Sequence, residues 1–155
     1  MTPAERHRTA SAEATEDLGQ DLARRLRAGD LVLLEGELAA GKTTFARGVL
    51  RGLGGDPDEV SSPTFVLLQT YDCSAWGITC LHHVDLYRLG DDLADLREVG
   101  LEEVLSDLRA AVVVEWPKGI LATWLPDDAR TWRVVITAET DDARRIEIIP
   151  PENQF

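Results

Sequence analysis

Lysine is almost missing from this chain: Lys42 and Lys118 are the only two, and 28 acidic residues outnumber 16 basic ones for a formal net charge of −12. Non-specific affinity for nucleic acid comes from neutralising phosphates with Lys and Arg, so this balance excludes a broad phosphate-backbone footprint. Most of the carboxylates read as a solubilising surface. No apolar run approaches 18 residues, and Met1 to Arg8 has no apolar stretch behind it to act as a secretory leader. A soluble cytoplasmic protein without a membrane partner is therefore expected. Cysteine is scarce as well. Cys73 and Cys80 flank a predicted turn and are placed to face each other across a hairpin. In a cytosolic chain they read as reduced, half-buried hydrophobes, and two thiols alone do not make a zinc site, so no structural metal is expected. A length of 155 residues suits one domain over 1–155, with 1–10 and 150–155 as flexible ends.

What the chain does have is an apolar strand, Leu31-Val32-Leu33-Leu34-Glu35, that breaks into Gly36-Glu37-Leu38-Ala39-Ala40-Gly41-Lys42-Thr43-Thr44. The segment from Gly36 to Thr43 matches G-x-x-x-x-G-K-[ST] in full. In such a loop the successive backbone N–H groups from Glu37 to Thr44 wrap phosphates, Lys42 reaches the outer ones as a mobile cation, and the Thr43 hydroxyl ligates magnesium. The loop thus reads as a cradle for a nucleoside triphosphate.

The surrounding pattern fits that cradle. A helix is predicted over 16–27, with Thr15 as N-cap, Gly29 as its stop and Leu18, Leu22 and Leu26 on one face. Strand 31–35 is apolar without alternation, as a strand covered on both faces should be. Helix 43–53 offers Phe45, Val49, Leu50 and Leu53 for packing. Strands are predicted over 64–71 and 78–84 around a turn at 72–77, then a weak helical pattern over 91–108 interrupted by Gly100, then strands over 110–115, 131–138 and 144–149. This order predicts a single P-loop α/β domain, with a mixed sheet of parallel core and antiparallel hairpins flanked by helices.

Binding phosphate is not hydrolysing it. Hydrolysis needs magnesium ligands and a group that orients water, and in P-loop proteins a carboxylate ending a neighbouring apolar strand supplies one of them. Glu115 and Asp85 both have that form, and the roles of metal ligand and water orienter stay undivided between them. Ser61-Ser62-Pro63-Thr64 lies where a segment sensing the γ-phosphate would fall, and it reads equally as an ordinary turn. His83 on its strand either hydrogen-bonds near the site or, the commoner case for a lone histidine, is structural, and the spacing of Arg88 decides nothing. Trp116, before Pro117, is expected on an extended loop, where it would either cover the base, meet a partner or pack in the core.

Four segments stand in order: Gly36 to Phe45, Ser62-Pro63-Thr64-Phe65, His83-Val84-Asp85-Leu86-Tyr87-Arg88-Leu89 and Val114-Glu115-Trp116-Pro117. Together they resemble the bacterial TsaE (YjeE) family, the P-loop ATPase component of tRNA threonylcarbamoyladenosine synthesis. The resemblance implies a magnesium-dependent ATPase, weakly active alone, that resets a TsaD–TsaB complex as it transfers threonylcarbamoyl to N6 of adenosine 37 in tRNA. It further implies that Lys42 and Thr43 hold phosphate and magnesium, that Thr64 belongs to a switch segment, that Asp85 and Glu115 form the acidic active-site pair, and that Trp116 lies near the nucleotide. If the partners hold the tRNA, contact with it is indirect and the acidic surface needs no basic face. Two departures stand out. Ala39 occupies a position that is usually glycine, which is tolerable where its φ is negative, and Val84 replaces an aromatic before Asp85. A small-molecule P-loop kinase is the alternative, lowered by scattered arginines that form no lid segment.

Overall fold

The computed structural model describes residues 3–37, 40–60, 68–86, 100–116, 125 and 129–152. Seven strands form one sheet: β1 (Glu5–Thr9), β2 (Leu31–Gly36), β3 (Leu68–Ala75), β4 (Ile78–Asp85), β5 (Ala110–Glu115), β6 (Thr131–Ala138) and β7 (Arg144–Ile149). Their spatial order is β1-β7-β6-β2-β5-β4-β3. The four central strands, β6, β2, β5 and β4, run parallel, and the antiparallel β3 and the β7–β1 pair extend the two edges. The α/β class, parallel core and hairpins are as the sequence pattern predicts.

Both faces of the core are covered, which is why β2 and β5 carry no polar alternation. On one face, α1 (Ala12–Ala23) and α2 (Lys42–Gly52) bury Leu22, Phe45, Val49 and Leu50 against Val32, Leu34, Val113 and Val134. Full burial of side chains of this size contributes about 1.5–3 kcal/mol each. On the other face, Leu101 and Val104 of the short helix α3 (Leu101–Leu105) meet Leu31, Val84, Val112 and Val114. The two long helices touch backbone to backbone. A Cβ at Gly48 would stand 1.9 Å from the Glu16 carbonyl oxygen, and one at Gly19 would stand 2.3 Å from that of Phe45.

Several details differ from the sequence pattern. Helix α1 starts four residues before the predicted 16, because Ser11 rather than Thr15 is its N-cap: the Ser11 hydroxyl accepts from the Ala14 N–H at 3.1 Å. Thr15 is buried and shares a 2.7 Å hydrogen bond with the Thr9 hydroxyl instead. Residues 5–9, in which no strand is predicted, pair with β7. The turn after β3 is shorter than 72–77, since the strand runs on to Ala75. Cys73 and Cys80 do not face each other: Cys80 pairs with Asp72, so the pleat sends the two thiols to opposite faces and both are free. The predicted helical stretch 91–99, and 64–67 of the predicted strand 64–71, lie outside the described residues. Among the described residues no helix is long and apolar enough to cross a membrane.

Candidate functional site

In an open parallel sheet, ligands bind beyond the carboxyl ends of the strands. Here Leu34, Glu115 and Asp85 stand in one row across β2, β5 and β4 at that end. The chain leaves the sheet at Gly36, where a Cβ would lie 2.5 Å from the Ile136 carbonyl oxygen of β6, so only glycine lets the loop start this close to its neighbour. It enters α2 through Gly41 at φ 108°, a left-handed conformation that suits glycine alone. Both glycines of the motif thus have separate steric reasons.

Lys42, the first residue of α2, is 5 % exposed. Its ammonium group donates to the Gly36 carbonyl at 2.6 Å and to that of Glu37 at 3.0 Å, and it lies 3.7 Å from the centre of the Trp116 ring. Burial pulls the Lys42 ammonium below the usual lysine range, and the charges of Glu115, Asp85 and Glu37 oppose that shift. One turn of chemistry further, the Thr43 hydroxyl donates to Glu115 Oε2 at 3.4 Å. The same carboxylate oxygen accepts from His83 Nε2 at 2.5 Å, in a pair whose side chains are 1 % and 4 % exposed. The other ring nitrogen, Nδ1, is buried without a partner among the described residues, so the ring's ordered hydrogen bond is the one to Glu115.

The expected site residues are therefore brought together where the structure describes them. Lys42, Thr43, Glu115, Asp85 and Trp116 converge at one end of the sheet, with Glu37, Ala40, Gly41 and Thr44 in the loop and first turn around them. Leu38, Ala39, Thr64 and Arg88 lie outside the described residues. Trp116 departs from expectation: its φ of 58° is left-handed rather than extended. Such a conformation costs a non-glycine residue about 1–3 kcal/mol and tends to occur at functional sites. Its N–H bonds the Leu34 carbonyl at 3.2 Å, which holds the half-buried ring beside Lys42. A cleft of about 500 Å³ opens alongside, between Glu37 and Trp116 on one side and Val135 and Thr137 on the other.

One residue was weighed the wrong way in the sequence and another escaped it. His83 is not merely structural packing but the hydrogen-bond partner of Glu115; the signal was its place two residues before Asp85 on the same face. Arg144, at the start of β7, donates to the Ala40 carbonyl at 2.7 Å and ties the loop to the far end of the chain. No local signal marks a contact across 104 positions.

The donor set fits a magnesium nucleotide. Thr43 Oγ1 and Glu115 Oε2 are hard oxygen donors that already converge, 3.4 Å apart. The first N–H groups of α2, from Lys42 on, have no partner within the helix, as an anion site requires.

Comparison with known proteins agrees with this geometry. The family model described as Threonylcarbamoyl adenosine biosynthesis protein TsaE matches residues 9–146. A tRNA threonylcarbamoyladenosine biosynthesis protein TsaE from Streptomyces coelicolor is 48% identical over 103 residues, 66% of this chain and 67% of that protein. The protein of the same name from Bacillus subtilis is 34% identical over 148 residues, covering 96% of this chain and 87% of its own length. The crystal structure of Bacillus subtilis YdiB superposes with a TM-score of 0.70 at 27% identity, over 100% of this chain and 90% of that one.

Proposed function

We propose, because this chain belongs to the TsaE family of threonylcarbamoyl adenosine biosynthesis proteins, that it is the magnesium-dependent ATPase subunit of tRNA threonylcarbamoyladenosine synthesis, working in the cytoplasm on a TsaD–TsaB complex. The observation that carries the ATPase reading is the convergence of Lys42, Thr43, Glu115 and His83 at the carboxyl end of the parallel strands. Lys42 exchanges its hydrogen bonds with the Gly36 and Glu37 carbonyls for the outer phosphates of ATP. The exchange is favourable because a buried ammonium gains a charged acceptor in place of neutral ones. Thr43 and Glu115 would hold magnesium, which when bound neutralises charge across the β- and γ-phosphate oxygens. His83 fixes the Glu115 carboxylate, so its oxygens are oriented before the nucleotide arrives. Asp85, in register with Glu115 on the neighbouring strand, orients the attacking water. Trp116 covers the Lys42 side of the cleft and excludes bulk water there. Leu38, Ala39, Ala40, Gly41, Thr44 and Thr64 complete the nucleotide contacts, and tRNA is reached only through the partners.

The test is complementation. Depleting the protein in its host should remove threonylcarbamoyladenosine from tRNA, the wild-type gene should restore it, and a Lys42→Ala gene should not; unchanged modified nucleoside after depletion overturns the pathway assignment. Calorimetry of the purified Lys42→Ala protein reads the site separately, and wild-type ATP affinity there would overturn the cradle assignment alone. A small-molecule kinase is distinguished by its product. Release of inorganic phosphate without a phosphorylated acceptor supports the ATPase.

A further inference from the structure

Strand alternation sends His83 toward α2 and its neighbour His82 to the opposite face, beside Cys80 and the turn before β5. There His82 Nε2 lies 2.9 Å from Asp107 Oδ2, and Cys80 Sγ lies 3.8 Å from that nitrogen and 3.9 Å from that oxygen. Tetrahedral zinc with a thiolate, an imidazole and a carboxylate separates its donor atoms by about 3.3–3.6 Å, from bond lengths near 2.3 Å to sulfur and 2.0–2.1 Å to nitrogen and oxygen. The observed triangle needs only a few tenths of an ångström of adjustment per edge. We propose that Cys80, His82 and Asp107 form a transition-metal site, for zinc or a similar borderline-soft divalent ion, separate from the nucleotide site.

Two of the three ligands are already turned toward the common centre by something else. The second ring nitrogen of His82, Nδ1, is 2.8 Å from the Thr70 hydroxyl on β3, which leaves Nε2 for the metal. The second oxygen of Asp107, Oδ1, accepts from the Arg109 backbone N–H at 3.1 Å, which leaves Oδ2 pointing inward. Cys80 is half-buried, and the His82 and Asp107 side chains are 12% and 22% exposed, so an ion can reach them from solvent. Three protein ligands leave the fourth position to water. On binding, the Cys80 thiol releases its proton to solvent, and the His82 proton resides on Nδ1 facing Thr70. Mixed sulfur, nitrogen and oxygen donors disfavour magnesium, which demands oxygen. Cys80 and Asp85 lie about 16 Å apart along β4 at 3.3 Å per residue, and the adjacent His82 and His83 point to opposite faces, so the sheet itself stands between the two sites.

The experiment uses the full chain, stripped with chelator and free of nucleotide, titrated with cobalt(II) alone. One equivalent should produce a thiolate-to-cobalt charge-transfer band with the visible spectrum of a tetrahedral ion, and added zinc should bleach it. Cys80→Ser should lose the charge-transfer band. Thr70→Val should weaken binding about tenfold, the usual scale for a partner that orients a metal ligand. Cys73→Ser and Lys42→Ala should leave the spectrum unchanged. Absence of a saturable band in the wild type, its survival in Cys80→Ser, or its loss in Cys73→Ser overturns the site. Circular dichroism of each variant, and the conservative Asp107→Asn with the thiol intact, separate lost ligation from lost folding.

Discussion

His82 and His83 are neighbours on one strand, and each meets a carboxylate, yet the two pairs share little else. His83 and Glu115 are almost wholly buried, with the Thr43 hydroxyl on the same carboxylate oxygen and the Lys42 ammonium nearby. His82 and Asp107 are reached by solvent and have a thiol for company. The pleat of β4 alone sorts them, one face toward hard oxygen chemistry and the other toward sulfur and nitrogen. A strand crossing a two-sided sheet can therefore serve two chemistries with adjacent residues. Their separation rests on register, and a slip by one position would exchange them.

The comparison is broken most forcefully at the carboxylates. Glu115→Ala should lower the rate of ATP hydrolysis by about 10²–10³-fold, the scale on which one preorganised transition-state group is felt. Asp107→Ala should leave it unchanged, as measured by steady-state phosphate release. Equal losses in the two variants would mean that the sheet does not insulate its faces. The histidines come next. His83→Ala should lower turnover by about 10–100-fold through the misplaced Glu115, with nucleotide affinity nearly unchanged, whereas His82→Ala should not touch turnover. Parallel titrations of both variants with ATP check this.

The smallest effect is on acid stability. The hydrogen bond from His82 holds the Asp107 carboxyl below its ordinary value of 3.8, with the Arg109 backbone N–H adding to the shift. A carboxyl whose folded value is depressed stabilises the fold above its unfolded value, and that contribution is lost as pH falls through the folded one. The stability gap between wild type and His82→Ala should thus be full near pH 6 and close below about pH 4. Urea unfolding with chelator present reads it, and a gap that widens in acid would contradict the pairing.

Strands β2 and β5 at the centre of the parallel core were legible because they are apolar without alternation, and the loop because glycine, lysine and threonine at fixed spacing have no common alternative use. Strand β1 was not. Glu5-Arg6-His7-Arg8-Thr9 buries only Thr9 and sits at the sheet edge, where a polar strand has no hydrophobic signature. The start of α1 was misplaced because Ser11 and Thr15 are equally good caps in isolation, and the choice is made by Thr9, a tertiary partner. The thiol was read without its neighbours for the same reason. Asp107 lies 25 positions from His82, and only the parallel pairing of β4 with β5 brings its turn there. In the same way, nothing in the local sequence couples Arg144 to the phosphate loop.

The glycine seam between α1 and α2 has a mechanical meaning. With carbonyl oxygens where side chains would otherwise cushion the contact, the helix that begins at Lys42 has no room to slide or roll against its neighbour. Any displacement of α2 carries α1 with it, and through the bond from Thr15 to Thr9 it pulls on the outermost strand. The nucleotide loop at the centre of the sheet is thereby geared to its β1 edge.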